Sequence, residues 1–232
     1  MLPRLAKFTG AALNFLYPQR CLGCGREGEL ICGSCRSKLP RLSPPLCPRC
    51  GRPQSNGILC SDCVSRKTAI DGVRAPFRFE ALARECVHQL KYKNLRSLAG
   101  PLSDLMAEYL RGAELPVNIL VAVPLYPRRL KERGYNQSDL LTARLAALSG
   151  LPVDCSSLVR RKYVLPQART TSALERRRNL EGAFECRPLP NGRRVLLIDD
   201  VATSGATLDA CAEALKAAGA LSVRALVFAR EI

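Results

Sequence analysis

The chain has 232 residues, 47% of them hydrophobic, which is enough for one large domain or for an ordinary domain plus a small module, each with a packed core. No stretch is long and apolar enough to span a bilayer, so we expect no membrane-spanning helix. Lys and Arg outnumber Asp and Glu by 36 to 20, and the formal net charge of +16 favours anionic partners such as nucleic acid, phosphates or an acidic membrane surface.

Residues Leu5–Tyr17 form a short amphipathic stretch with Arg4 and Lys7 near its start. No small-residue cleavage site precedes Cys21, which favours a first helix over a secretory signal peptide. We expect a cytoplasmic protein whose first helix is able to touch the inner face of the membrane peripherally.

Eight of the twelve cysteines fall between residues 21 and 63, as four Cys-x-x-Cys pairs. Each pair is typical of a zinc knuckle, in which a tight turn directs two thiolates at one metal. The segment is too short and polar to fold around a hydrophobic core, so metal binding would provide its stability. A disulfide framework or redox-active dithiols are the alternatives, but nothing in the sequence indicates an oxidising compartment.

Eight thiolates predict two structural Zn²⁺ ions. The sequential pairing is our first choice and uses two sets of four ligands: Cys21, Cys24, Cys32 and Cys35; Cys47, Cys50, Cys60 and Cys63. An interleaved cross-brace fits the same spacing. The remaining cysteines, Cys86, Cys155, Cys186 and Cys211, are scattered and are predicted to be buried or partly buried small residues.

We place the linker at Ser65–Ile70, between an N-terminal module at residues 1–66 and a second domain at residues 67–232. The pattern predicts a strand over Val73–Glu80 and a helix over Ala81–Leu90. Lys91 and Lys93 follow that helix, as cations near the negative end of its dipole. They are candidates for contact with a nucleic-acid backbone, against the alternative of a solvated helix end.

A second helix is predicted over Leu98–Leu110 and a buried strand over Asn118–Val123. The segment after that strand reads PLYPRRLKERGYNQ. Ligands of α/β sheets bind beyond the carboxyl ends of the strands, and Arg suits multidentate phosphate contacts, so we interpret this segment as a basic, phosphate-binding loop. Its candidate residues are Leu125, Tyr126, Arg128, Arg129 and Arg133. A further helix follows, marked by Leu141, Leu145 and Leu148.

The segment from Leu158 to Phe184 is basic and polar and has little apolar periodicity. Beside a phosphate site, such a segment is typical of a mobile lid. Its candidate residues are Gln167, Arg169, Thr170, Arg176, Arg177 and Asn179.

The most informative stretch reads VLLIDDVATSGAT, from Val195 to Thr207. Four apolar residues indicate a strand buried on both faces, and Asp199 and Asp200 follow at what we expect to be its exposed end. A small-residue loop then leads into a helix, whose first N–H groups favour an anion. Carboxylates accept hydrogen bonds from sugar hydroxyls, so the parts together predict a site for a phosphorylated sugar. The loop residues are Val201, Ala202, Thr203, Ser204, Gly205, Ala206 and Thr207.

With a last strand over Leu221–Ala229, these elements place the chain in the α/β class, as a mostly parallel sheet flanked by helices. Asp-Asp-x-x-Thr-Ser-Gly-x-Thr after an apolar strand resembles the motif of type I phosphoribosyltransferases. The order of four-knuckle cysteine module, LKYKN, RGYNQ, RRRN…GAF and this motif resembles the ComF family of competence-associated proteins, over nearly the whole chain.

The resemblance implies a double zinc ribbon joined to a type I phosphoribosyltransferase fold that binds phosphoribosyl pyrophosphate (PRPP) with Mg²⁺. It further implies that residues 201–207 cradle the 5′-phosphate and that Asp199 and Asp200 act at the ribose hydroxyls. It also implies a role in natural transformation, in handling single-stranded DNA alongside other DNA-uptake proteins.

Three hypotheses follow. The first is a PRPP-binding protein that either transfers phosphoribose or senses PRPP, and that binds single-stranded DNA. The second is a conventional phosphoribosyltransferase acting on a base or an amine. The third is a nucleic-acid-binding zinc protein whose phosphoribosyl pocket is a relic, which the intact motif at residues 199–207 argues against.

Overall fold

The computed structural model describes residues 19–113, 115–162, 178–190 and 192–232. The predicted first helix at Leu5–Tyr17 lies outside these ranges. The cysteine-rich region contains two short helices, α1 (Gly33–Ser37) and α2 (Ser61–Ser65), and each begins directly after a cysteine. No helix in the described ranges is long and apolar enough to cross a bilayer.

The rest of the described chain alternates strands and helices. The strands are β1 (Gly72–Arg74), β2 (Phe77–Arg78), β3 (Ile119–Ala122), β4 (Val153–Asp154), β5 (Leu158–Arg160), β6 (Phe184–Cys186), β7 (Arg194–Ala202) and β8 (Ser222–Arg230). The helices are α3 (Ala81–Tyr92), α4 (Ala99–Gly112), α5 (Pro127–Arg133), α6 (Gln137–Ser149) and α7 (Ala206–Ala217), with a 3₁₀ turn at Arg96–Leu98.

The main sheet is parallel, with the strand order β1-β8-β7-β3-β4, and β2 also pairs with β8. The central strand β7 pairs with β3 from Val195 to Ile198 and with β8 along its whole length. A separate antiparallel pair, β5 and β6, flanks the segment that includes residues 163–177. The predicted parallel α/β architecture is confirmed.

Two apolar layers cover the sheet, because successive side chains of a strand point to opposite faces. Leu196 and Ile198 pack with residues of α3, α4 and α6, whereas Val195 and Leu197 pack with residues of α7. All four are fully buried, as expected for a parallel sheet covered on both faces. The cysteine-rich region joins the layer formed by α3, α4 and α6 through five buried residues: Cys21, Leu30, Ile31, Cys32 and Cys35.

Three local predictions differ from the structure. The strand predicted over Val73–Glu80 is broken into β1 and β2 around Pro76, which has no N–H to donate to the sheet. The basic segment predicted as a loop contains the helix α5, with Pro127 at its first turn and Gly134 ending it at φ 76°. Strand β7 continues to Ala202 instead of ending at Ile198, because β8 pairs with it that far.

Candidate functional site

Asp199 and Asp200 lie near the carboxyl end of β7, inside the strand rather than after it. The expectation of an exposed pair is wrong: Asp199 is 8% exposed and Asp200 only 1%. Ser138, at the start of α6, donates its hydroxyl to Asp199 Oδ1 at 2.7 Å, and the backbone N–H of Asp200 donates to the same oxygen at 2.9 Å. One carboxylate is therefore held by fixed donors before any ligand arrives.

The second carboxylate has a cationic partner. Lys91 Nζ lies 2.9 Å from Oδ1 of Asp200, and the lysine side chain is only 18% exposed. Lys91 is thus directed at the acidic pair and is not part of a solvated helix end, whereas Lys93 is exposed. Oδ2 of Asp200 is buried and has no hydrogen-bond partner among the described residues.

Burial and the neighbouring charge of Asp200 raise the pKa of Asp199 to about 7, against the opposing effects of Lys91 and of the Ser138 hydrogen bond. The Lys91 ammonium keeps its proton, because the two aspartates raise its pKa despite the opposing effect of burial. The site therefore combines one carboxyl group that titrates near neutrality with a permanent ion pair.

The predicted loop residues are divided between three elements. Val201 and Ala202 end β7, residues 203–205 form the turn, and Ala206 and Thr207 begin α7. Gly205 adopts φ 77° at the N-cap position, a conformation that favours glycine, and no side chain caps the helix there. The turn therefore places the half-buried Thr203 and Ser204 next to the first N–H groups of the twelve-residue helix α7.

The predicted basic residues separate into two groups. Arg129 and Arg133 line a cavity of about 380 Å³ together with Lys91 and Tyr92. Leu125 lines a different cavity of about 220 Å³, which Arg160 of β5 also lines. Arg128 is exposed and pairs with Glu132 at 3.0 Å, and Tyr126 is half-buried at the N-cap of α5.

The lid residues Gln167, Arg169, Thr170, Arg176 and Arg177 lie outside the described residues. Asn179 is described, and it is exposed just before β6. Their assignment to a mobile lid stays a prediction.

Sequence reasoning missed Ser138 and Arg160. Ser138 lies two residues after Asn136, which caps α6 by accepting the N–H of Ser138 at 3.1 Å and donates to Val123 O at 3.1 Å. That cap places the start of α6 against the end of β3, and hence against Asp199 on β7. Asn136, a good N-cap residue just before an apolar helical pattern, was the available signal for where this helix begins. No local pattern distinguishes Arg160 within a basic segment.

The cysteines form two tetrads, Cys21/Cys24/Cys32/Cys35 and Cys47/Cys50/Cys60/Cys63, with the sulfur atoms of each within 4.8 Å of one another. The closest sulfurs, Cys24 with Cys32 and Cys50 with Cys60, are 3.7 Å apart. Tetrahedral zinc with thiolates at about 2.3 Å requires sulfurs about 3.8 Å apart, so the residues fit the metal. The sequential pairing is confirmed and the cross-brace is wrong.

The first tetrad also has the hydrogen bonds of a zinc knuckle. Burial raises the pKa of the Cys21 thiol, but the N–H groups of Cys32, Gly23 and Cys24 outweigh that effect and lower it to about 6. The corresponding sulfur in the second tetrad, Cys47, has a pKa lowered to about 6 against its own burial, by the N–H groups of Cys50, Cys60 and Arg49. One thiolate in each tetrad is thus stabilised before metal binds.

The second tetrad lies near the turn at residues 203–205. A small cavity of about 40 Å³ separates Cys50 and Cys63 from Ser204 and Gly205. Arg230, at the end of β8, lines it and is 2% exposed, and its Nε and Nη1 have no hydrogen-bond partner among the described residues. Burial lowers the pKa of Arg230, whereas the sulfur of Cys50 favours its charged form. The thiolate cluster is therefore the natural countercharge of this guanidinium.

Of the other cysteines, Cys86 and Cys211 are buried and Cys186 is half-buried, as predicted. Cys155 is exposed, contrary to the prediction, because it lies in the turn between β4 and β5.

Known protein families match both the cysteine-rich region and the α/β domain. The family described as "Double zinc ribbon domain" matches residues 12–64, and the one described as "Phosphoribosyl transferase domain" matches residues 141–232. A purine phosphoribosyltransferase from Pyrococcus horikoshii is similar over 57% of this chain and 72% of its own, at 18% identity and a TM-score of 0.37.

Several relatives match most of the chain. The DNA utilization protein YhgH of Escherichia coli K12 is 32% identical over 87% of this chain and 91% of its own length. The competence protein ComFC of Bacillus subtilis is 31% identical over 84% of this chain and 82% of its own. With its two cysteine tetrads and its phosphoribosyltransferase fold, the chain therefore belongs to the ComF family of competence and DNA utilization proteins.

Proposed function

We propose that this protein binds PRPP with Mg²⁺ at Asp199, Asp200 and residues 203–207, and that it binds single-stranded DNA in the cytoplasm during DNA uptake. In this proposal residues 1–66 form the zinc-ribbon module and residues 67–232 the phosphoribosyltransferase-like domain. The competence and DNA utilization proteins among its relatives support the DNA role.

One observation carries the PRPP assignment. A buried carboxylate pair lies near the end of β7, and after a three-residue turn the helix α7 begins with N–H groups that the N-cap residue Gly205 cannot cap with a side chain. The carboxylates provide acceptors for ribose hydroxyls, and the helix start provides donors for a phosphate. The short turn that ends at Gly205 keeps the carboxylate pair and the start of α7 close together.

The residues of the pair have different roles in this proposal. Ser138 and the Asp200 N–H hold the Asp199 carboxylate in one orientation. Oδ2 of Asp200, which is buried in the free protein, becomes accessible on binding and accepts a ribose hydroxyl, while Lys91 pairs with Oδ1 and keeps two adjacent negative charges tolerable in a buried site. Mg²⁺ would be held mainly by the pyrophosphate and ribose oxygens of PRPP and would neutralise the pyrophosphate charge.

A pair of serine substitutions tests the assignment by calorimetry with PRPP and Mg²⁺. Ser204→Ala removes a hydroxyl from the turn, and we expect it to weaken PRPP binding by about 1.5 kcal/mol, the value of a hydrogen bond to a charged group. Ser222→Ala is the control, because Ser222 starts β8 at the opposite edge of the sheet. Equal PRPP affinities for the two variants and the wild type would place the phosphate elsewhere.

A further inference from the structure

An exposed aromatic ring lies directly beside the carboxylate site. Tyr92, the last residue of α3, is 62% exposed, and it follows Lys91, which pairs with Asp200. The Arg133 guanidinium lies 5.7 Å from the centre of the Tyr92 ring, and the His88 ring lies 5.0 Å away on the same helix. This ring is thus held in place by its neighbours while most of its surface remains open to solvent.

The cavity next to this ring has the size of a small-ligand site. Its volume is about 380 Å³, within the range of about 300–1,000 Å³ that is usual for small-molecule pockets. Lys91, Tyr92, Asn94, Arg129 and Arg133 line it. An aromatic face, an amide and several cations are therefore directed at the same space.

The charge of the cavity selects for an anion. Glu132 is the one carboxylate that lines it among the described residues, and Glu132 already pairs with Arg128 at 3.0 Å. Arg129 and Arg133 form no ion pair with any carboxylate that the structure describes. Arg133 instead donates to Gln137, which leaves its positive charge uncompensated.

We propose that this cavity binds one nucleotide of a single strand, with its base on Tyr92 and its phosphate on Arg129 and Arg133. Base stacking on aromatic side chains combined with cations along the backbone is the usual way in which proteins hold single strands. The inference rests on the proposed DNA-binding function and locates it. Because Lys91 both lines this cavity and pairs with Asp200, the bound nucleotide would lie next to the carboxylate site.

The test uses fluorescence anisotropy of a labelled oligothymidine of about 12 nucleotides, measured without PRPP at several salt concentrations. Tyr92→Leu should weaken binding about tenfold and leave the salt dependence unchanged, because it removes stacking and no charge. Tyr92→Phe should bind like the wild type. Arg133→Gln should lower the slope of log affinity against log salt by about 0.7, the value for one lost phosphate contact.

Two controls separate this site from general attraction to a basic protein. Arg111→Gln removes one charge at the exposed end of α4, away from the cavity, and should bind like the wild type. An abasic strand of the same length should bind the wild type about as weakly as the oligothymidine binds Tyr92→Leu. If Tyr92→Leu binds like the wild type while the wild type binds the strand, the nucleotide site is wrong and the DNA function stands. A wild type that fails to bind at low salt overturns both.

Discussion

Lys91 Nζ lies 2.9 Å from Oδ1 of Asp200, joining the end of α3 to the strand that carries the acidic pair. Asp200 is 1% exposed and the Lys91 side chain 18%, so neither charge is well hydrated. Neutralising Lys91 would leave two adjacent, poorly hydrated carboxyl groups without a cation, whereas neutralising Asp200 would leave Lys91 with Asp199 as its remaining acidic neighbour. The carboxylate pair is therefore part of the folding energetics of the protein as well as of its site.

We predict that Asp200→Asn lowers the free energy of unfolding by about 1–2 kcal/mol, less than for a fully buried pair because Lys91 is partly exposed and keeps Asp199 as an acidic neighbour. Lys91→Met combined with Asp200→Asn should recover at least half of that loss, since the buried Asp199 is then able to stay protonated and no buried charge is left without a partner. Urea unfolding of the wild type, both single variants and the double variant gives the coupling energy. A double variant no more stable than Asp200→Asn would show that the two charges are not coupled.

The raised pKa of Asp199 predicts a pH-dependent stability. Burial, with the charge of Asp200, raises this pKa to about 7, so the folded protein holds the proton more tightly than the unfolded chain. The resulting stabilisation is present below the ordinary pKa of about 4 and is lost as the pH rises through 7, by at most about 1.4 kcal/mol per pH unit. Asp199→Asn stays neutral and should remove this contribution to the slope of unfolding free energy against pH. Identical slopes would contradict the shift.

Local patterns in the sequence identified the strand at Val195–Ile198, the helix after Gly205 and the four cysteine knuckles, because each depends on residues close together in the chain. The continuation of β7 to Ala202 depends on pairing with β8, which no local pattern encodes. The role of Lys91 was hidden for the same reason: its burial follows from where α3 packs. The helix α5 does have local signals, because Pro127 suits its first turn and Gly134 its end, but the basic composition of the segment is equally typical of a loop.

Purified protein should contain about two Zn²⁺ per chain, one for each tetrad. Cys60→Ser should lower the content to about one, because Cys60 belongs to the second tetrad. Cys155→Ser should leave it at about two, because Cys155 is exposed and outside both tetrads. Elemental analysis by mass spectrometry measures the ratio, and a metal-free wild type with an ordered N-terminal module would exclude zinc as its structural basis.

The two zinc sites should differ in their dependence on Arg230. Its guanidinium lies buried near Cys50 and stabilises thiolates of the second tetrad only. Arg230→Met should therefore speed the release of one of the two ions to a chelator, with little effect on the other. Release measured with a chromogenic chelator should change from one phase to two, and equal acceleration of both ions would indicate general unfolding instead.

The central claim is that Asp199, Asp200 and the turn before α7 bind PRPP, and calorimetric titration of the wild-type protein with PRPP tests it most directly. We predict saturable binding with Mg²⁺ present and much weaker binding without it, because the metal neutralises the pyrophosphate beside an acidic pair. Asp199→Asn, in which the amide oxygen still accepts from Ser138, should stay folded and bind PRPP more weakly. The absence of any heat from a folded, zinc-loaded wild type, with or without Mg²⁺, would contradict the account.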